Sequence, residues 1–399
     1  MSIFAAVMTG KGTGAIATIQ VFGDKIESLL KKIFKPAGEK SSQFKTGAIL
    51  IGSIVNGTRI IDQVIIGCEG PALSGVEGPD TFAINCHGNP LIVEDIMNLL
   101  KRNGVKLITP EQMLYKILSQ DKSLNTIAIE AKLAISRART IEGTKILTNQ
   151  TDAGLSEKAK YWQKNIGKIP ISQIKSEAEH ILRASETGML IIFGCKTVIA
   201  GPPNTGKSTL LNRLSGKAKA IVSEIKGTTR DWVSAQCQVG PLALELFDTA
   251  GLDEILAASP VDNASQQKAA QLLKGADLVL LVLDISETND QLKKTLIEKL
   301  ADKKVLTVLN KSDLADKFDS AKLPPQLAAT IRISAKLGTG LDDLARTIQH
   351  RVGVDKFDLR QPLCFTHRQE QLLGQLVKAK SKITSRSIVT ELLNGRLNV

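Results

Sequence analysis

The 399-residue sequence predicts an α/β phosphate-loop domain set into an α-helical domain, behind an N-terminal α+β domain. Three observations predict it. Residues 1 to about 108 hold short alternating apolar runs, Ala15 to Val21, Ala48 to Val55 and Gln63 to Cys68, between Gly-rich turns, the pattern of half-buried strands. From Glu111 to Glu142 no Gly or Pro occurs and apolar residues recur at helical spacing. Between residues 196 and 352, four apolar runs read as buried strands of a parallel sheet: Thr197 to Ala200, Leu242 to Phe247, Leu278 to Leu283 and Val305 to Leu309. The predicted pieces are 1–108 (α+β), 109–195 (helical, first part), 196–352 (α/β) and 353–399 (helical, second part).

The elements follow in order. Asn56-Gly57, flanked by Ile54-Val55 and Thr58 to Ile61, predicts a hairpin turn. A helix is expected from Leu91 to Asn103, then helical segments at Leu155 to Gln163 and Ile171 to Ser185, with Pro170 as the break. The spacing of Leu372, Leu373, Leu376 and Val377 predicts helix again between about 360 and 393.

The first run of the α/β domain leads into Gly201-Pro202-Pro203-Asn204-Thr205-Gly206-Lys207-Ser208, which fits G-x-x-x-x-G-K-[ST]. Glycines let backbone N–H groups crowd around phosphates, Lys207 adds a point charge, Ser208 suits Mg²⁺, and the helix opening there offers its positive end. Thr205, Gly206 and Thr209 complete the cradle. Asp248-Thr249-Ala250-Gly251 ends the second run. Asp248 then stands at a strand tip facing the Mg²⁺ shell, with Gly251 near the γ-phosphate.

The last apolar run enters Asn310-Lys311-Ser312-Asp313. The Asp313 carboxylate can accept hydrogen bonds from guanine N1–H and the exocyclic amine, whereas adenine would leave it unpaired. Ser334-Ala335-Lys336 fits the loop behind the base. Lys226 to Asp231 falls where a mobile switch belongs, with Thr229 as the Mg²⁺-sensing threonine. These parts, in order, predict a Ras-like G domain binding GTP and GDP.

Leu252 follows Gly251, and leucine cannot orient a water, so hydrolysis needs another device. Asn204 can bind a monovalent cation, K⁺, beside the phosphates. Asp262 can orient the water, or it is a solvated cap in Asp262-Asn263-Ala264-Ser265.

The succession G-P-P-N-x-G-K-S, K-G-T-T-R-D, D-T-A-G-L, N-K-S-D and S-A-K resembles the G domain of the MnmE (TrmE) family of tRNA-modification GTPases. Phe4 to Ala17, with its glycines at 10, 12 and 14, is similar to the family's opening, and Ile84-Asn85-Cys86-His87-Gly88 to its E-I-x-C-H-G. The resemblance implies a GTPase inserted in a helical domain and an N-terminal domain that dimerises and binds a formyl-tetrahydrofolate. It also implies potassium-stimulated hydrolysis and G-domain dimerisation. The implied partners are tRNA, modified at wobble uridine 34, and the flavoprotein MnmG (GidA).

The sequence also departs from that family. Gln20 stands where the family has Arg, Gly78-Pro79-Asp80 replaces Gly-Glu-Asp, and the segment P-G-E-F-T is missing near residues 110 to 125. The family's catalytic Glu aligns with Asp262 only across an insertion of about two residues. The family's closing C-[IL]-G-K is not found in Leu392 to Val399, the last cysteine being Cys364. The expectation is a nearly intact hydrolytic site beside a reduced modification apparatus.

Composition fits. Lys+Arg is 52 against Asp+Glu 40, a net charge of +12, compatible with a polyanionic partner and equally with a solvated basic surface. Aromatics are 4%, so RNA binding would rest on phosphates and shape rather than stacking. The five scattered cysteines form no C-x-x-C or zinc spacing, pointing to a reduced, cytoplasmic setting. Adjacent strand residues face opposite ways, so Cys86 and His87 are not expected to partner each other. The N-terminus lacks signal-peptide character and no run of about 18 apolar residues suggests a membrane span. Three functions remain open: the tRNA-modification GTPase, a GTP-dependent RNA-binding or ribosome-assembly switch, and a nucleotide-binding regulatory scaffold.

Overall fold

The computed structural model describes residues 2–10, 12–38, 44, 47–69, 80–217, 233–248 and 271–397. The chain divides into two compact units: residues 1–133 with 392–399, and 134–391.

The first unit is built on seven strands: β1 (Phe4–Val7), β2 (Ile16–Gly23), β3 (Phe34–Pro36), β4 (Ile49–Asn56), β5 (Arg59–Glu69), β6 (Asp80–His87) and β7 (Lys106–Leu107). Their order is β3-β4-β5-β6-β2-β1-β7, antiparallel except for the β1–β7 edge. Alternation decides which face is covered. Ile19, Val21, Leu50, Ile54, Val64, Ile66 and Ile84 turn inward onto α1 (Ile26–Ile33) and α2 (Pro90–Arg102). Ile49, Ile51 and Ile65 turn outward and stay exposed, with Ile51 directly opposite Ile65.

The hairpin falls one residue later than expected. Asn56 pairs with Arg59, so Gly57-Thr58 form the turn, and Gly57 takes the positive φ of 62°. The uninterrupted stretch from Glu111 to Glu142 is two helices, α3 (Pro110–Leu118) and α4 (Thr126–Ile135), plus the start of α5 (Ile141–Asp152). Local side-chain caps set the boundaries in place of Gly and Pro: Asn125 accepts from Ala128 N–H at 2.9 Å at the start of α4, and Thr140 caps α5 through Gly143 N–H.

The second unit carries six strands: β8 (Cys195–Ala200), β9 (Val233–Val239), β10 (Leu242–Asp248), β11 (Leu278–Asp284), β12 (Val305–Asn310) and β13 (Thr330–Arg332). The order is β13-β12-β11-β8-β10-β9, parallel except where β9 meets β10. β11 and β12 are buried throughout, as continuous apolar runs in the middle of a parallel sheet must be. Helices α6 (Gly154–Asn165), α7 (Ile171–Phe193), α8 (Lys207–Lys217), α9 (Lys294–Lys299), α10 (Leu341–Val352), α11 (His367–Lys378) and α12 (Lys382–Asn394) complete the described helices labelled here. α7 runs two turns beyond the expected Ser185, because Ile191 and Ile192 supply further buried contacts before Gly194 stops the helix at φ 92°.

Gln150 joins the helical stretches before and after the sheet. Its Oε1 accepts from Leu155 N–H (2.7 Å) and Leu363 N–H (3.0 Å), and its Nε2 donates to the carbonyls of Ile146 (3.2 Å) and Gln361 (3.1 Å). All four hydrogen-bonding positions of a buried amide are used. Ser185 adds a second tie, accepting from Cys364 N–H at 2.9 Å. Replacing Gln150→Leu would strand two buried N–H groups, each worth about 1–3 kcal/mol. Urea denaturation should therefore show a loss of about 2–6 kcal/mol, and an unchanged midpoint would refute this role.

Candidate nucleotide-binding site

The site forms where β8, β10, β11 and β12 end on the same side of the sheet. Asp248, the last residue of β10, lies opposite Ile199 of β8, so it stands beside the loop that begins at Gly201. Two loop glycines are required by close approach. At Gly201 (φ 145°) a Cβ would run into the Val282 carbonyl, and at Gly206 (φ 94°) into the Asn310 side chain. Asn204 takes the left-handed conformation, φ 63°, which asparagine tolerates. Thr205 is buried and its hydroxyl donates to Pro202 O at 3.0 Å.

Lys207 opens α8 and folds back over the loop, its Nζ donating to Gly201 O and Pro202 O, both at 2.8 Å. Ser208 Oγ donates to Asp248 Oδ2 at 2.6 Å. Asp248 is only 6% exposed, and its Oδ1 is buried with no hydrogen-bond partner among the described residues. A buried carboxylate oxygen left unpaired, next to a hydroxyl, is the donor set a hard divalent cation takes. These residues therefore fit Mg²⁺. Thr209 lies exposed in the first turn of α8.

The base side is organised by Asn310, 2% exposed at the end of β12. Its Nδ2 donates to Thr205 O (2.8 Å) in the phosphate loop, and its Oδ1 accepts from Ala335 N–H (2.9 Å). The side chain expected to touch guanine thus spends its carbonyl, and at least one N–H, on holding three loops in register. Lys311 takes φ 63° and pairs with Asp284 Oδ2 at 2.5 Å. Burial pushes the Asp284 carboxyl up, but hydrogen bonds from Lys311 and Ser286 outweigh it and keep the group ionised below the usual range. A hydrogen bond from Ser334, helped by Lys336 and Lys311 nearby, holds exposed Asp313 below its ordinary value. Asp313 is thus an acceptor-only carboxylate throughout the neutral range, as a partner for two N–H donors must be. Ser334 is itself buried and accepts from Leu337 N–H at 3.1 Å.

Sequence reasoning missed Arg213. One α8 side chain donates to both carbonyls of the base loop, Nε to Ala335 O (3.0 Å) and Nη2 to Lys336 O (2.6 Å). No motif marks it, since position 213 is two turns beyond Lys207 and meets residues 335–336 only in the fold. Asp284 was missed for the same reason. Thr229, Gly251 and Asp262 lie outside the described residues, as does Leu252.

The first unit holds a second cluster. Asp62 accepts from His87 N–H (2.8 Å) and contacts His87 Nδ1 (2.7 Å), while His87 is largely exposed. Cys86 faces the other way, into the core, its thiol pushed up to about 11 first by burial and then by the Asp62 charge. The two neighbours do not partner each other, as strand alternation requires. Gly88 is pinned against the glycine loop: Gly14 N–H donates to Gly88 O at 2.9 Å, and a Cβ on Gly88 would collide with the Gly14 backbone.

The geometry makes Arg213 a positioning residue for the base loop. Arg213→Ala should speed release of a fluorescent GDP analogue several-fold while leaving thermal unfolding nearly unchanged. Equal release rates would show that the loop needs no such clamp.

Comparison with known proteins agrees with both units. Residues 196–311 match a family model described as "50S ribosome-binding GTPase", and residues 3–111 match "GTP-binding protein TrmE N-terminus". Among curated relatives, the tRNA modification GTPase MnmE of Acetivibrio thermocellus is 29% identical over 95% of this chain and 88% of its own length. That of Desulforamulus reducens is 32% identical over 87% and 81%, and that of Bacillus subtilis 32% over 88% and 82%. Identity above 30% across four-fifths of a relative, on top of matches to both halves, leads to one conclusion: the chain belongs to the MnmE family of tRNA modification GTPases.

Proposed function

We propose that this protein hydrolyses GTP to GDP and phosphate in the course of modifying tRNA at wobble uridine 34, together with a flavoprotein partner of the MnmG (GidA) type. The observation that carries the nucleotide part is the Asn310 side chain, which ties the phosphate loop to the loop behind the base. The tRNA part rests on family membership, and the net charge of +12 is compatible with it.

Each residue has a physical task. Lys207 releases the Gly201 and Pro202 carbonyls and turns its charge to the β- and γ-phosphates, while the loop N–H groups and the start of α8 hold the remaining oxygens. Ser208 and Asp248 would hold Mg²⁺, with Thr229 joining from the switch. The ion would neutralise charge developing on the phosphates. Asp313 selects guanine, and the Lys311 stem covers the base while its ammonium stays on Asp284. With Leu252 unable to position water, the charge of an arginine finger falls to K⁺ held by Asn204, whose left-handed backbone keeps its side chain at an exposed position beside the loop. Asp262 is proposed to orient the water.

The architecture proposed for coupling is a G domain inserted in a helical one. α7 runs through Gly194 directly into β8, and Gln150 reconnects the chain after α10. A homodimer is proposed through the first unit, whose exposed Ile49, Ile51 and Ile65 form an apolar patch on one sheet face. A formyl-tetrahydrofolate belongs to the same family expectation. Gln20, 8% exposed on β2, stands where the family's Arg would be, so a folate here must bind without that guanidinium. A ribosome-assembly switch is the second reading, favoured by the description of the family model over residues 196–311. No described helix is long and apolar enough to cross a membrane.

Two measurements test this reading. GTP turnover should rise strongly in K⁺ over Na⁺ at matched ionic strength, and Asn204→Ala should remove that difference while sparing GDP binding. Turnover indifferent to the cation would refute the K⁺ assignment. Asp313→Asn should transfer preference from GTP toward XTP, because an amide N–H complements the xanthine carbonyl; unchanged GTP preference would sink the guanine assignment.

A further inference from the structure

Residues 160–176 and 371–390 contain no Asp or Glu, yet carry eight basic side chains: Lys160, Lys164, Lys168 and Lys175 in the first, Lys378, Lys380, Lys382 and Arg386 in the second. The fold brings the two stretches together. The first is the end of α6, the following turn and the start of α7; the second is the end of α11 and the start of α12. Lys382 Nζ donates to Gly167 O at 2.9 Å, fixing the α11–α12 turn against the α6–α7 turn. Lys160, Lys164, Lys168, Lys378, Lys380, Lys382 and Arg386 are all exposed. Among the acidic residues flanking these stretches, Glu177 is engaged by Lys158 (2.9 Å) and by the Trp162 indole (2.7 Å).

Helix polarity makes the arrangement more demanding. α7 and α12 both begin on this tip, and neither has an acidic residue in its first turn. Lys382 is the first residue of α12. Positive charge at a positive helix end is unfavourable in the protein alone, and it becomes favourable when an anion spans the tip. A basic surface carrying one exposed aromatic, Tyr161, suits a chain of phosphates more than a row of unstacked bases.

We infer that the tip formed by the α6–α7 and α11–α12 turns is a docking surface for the phosphate backbone of tRNA. The inference rests on the tRNA reading above and adds where the RNA is held. Binding would be driven by counterion release and would be independent of the nucleotide in the G domain. Ile383, 83% exposed at the edge of the same tip, would lie against the ribose face of the backbone.

The test is the salt dependence of tRNA binding by the full-length protein and by K164Q/K168Q/K380Q. Neutralising three phosphate contacts should lower the slope of log K against log salt by up to about 2–3 and weaken binding at least tenfold near physiological salt. A control, K293Q/K294Q/K299Q on α9 and the residue before it, should bind like the parent, and GTP turnover without RNA should be equal in all three proteins. Tight tRNA binding by the parent with the slope unchanged in the tip variant would overturn the surface while leaving the tRNA reading intact. No tRNA binding by the parent would overturn both. Co-sedimentation with anionic phospholipid vesicles, lost in the tip variant while tRNA binding persists, would overturn it in favour of a lipid surface.

Discussion

The two hydrogen bonds of the buried Asn310 side chain hold the nucleotide site together. One reaches the carbonyl of Thr205 in the phosphate loop, the other the N–H of Ala335 behind the base. Three segments, 105 and 25 residues apart along the chain, then share one rigid reference point. Gly206 must be glycine because that side chain lies where its Cβ would be. Arg213 makes the same join from the outside through two further carbonyls. Phosphate grip and base recognition are therefore mechanically connected, and a change on either side is felt on the other.

Charge is distributed by the same logic. The site keeps Asp313 and Asp284 ionised by supplying hydrogen bonds rather than by exposure alone. Among the described residues it leaves one Asp248 oxygen unpaired, where a divalent ion would bind. The five cysteines sit in apolar surroundings, and burial raises every thiol. Buried in this way, the five thiols hold their protons more firmly than a free cysteine.

Much of this was legible from local pattern. The four apolar runs of the second unit became β8, β10, β11 and β12: β11 and β12 are buried along their whole length, whereas β10 alternates and β8 exposes Lys196. The phosphate loop could be read because phosphate binding constrains consecutive backbone atoms. Other features were not legible. The stretch 111–142 broke into separate helices because Asp121 and Asn125 bond the local backbone between α3 and α4, and Thr140 caps α5, where no Gly or Pro signals a stop. The turn expected at Asn56-Gly57 moved to Gly57-Thr58, since register depends on cross-strand pairing and not on the turn dipeptide alone. Asp62, the partner of His87, lies 25 positions away on a neighbouring strand.

By itself, the sequence determined the chemistry that lives in contiguous residues: the phosphate cradle, a carboxylate suited to guanine and the alternation that buries Cys86 while exposing His87. Tertiary structure decided what depends on residues distant in the chain. It made Asn310 a brace between two loops, recruited Arg213 and Asp284, joined the helical stretches through Gln150, and gathered scattered lysines onto one tip. The physical reason is that loop backbones carry their own geometry, whereas hydrogen bonds across a sheet and charges on separate helices acquire their partners only when the chain closes on itself.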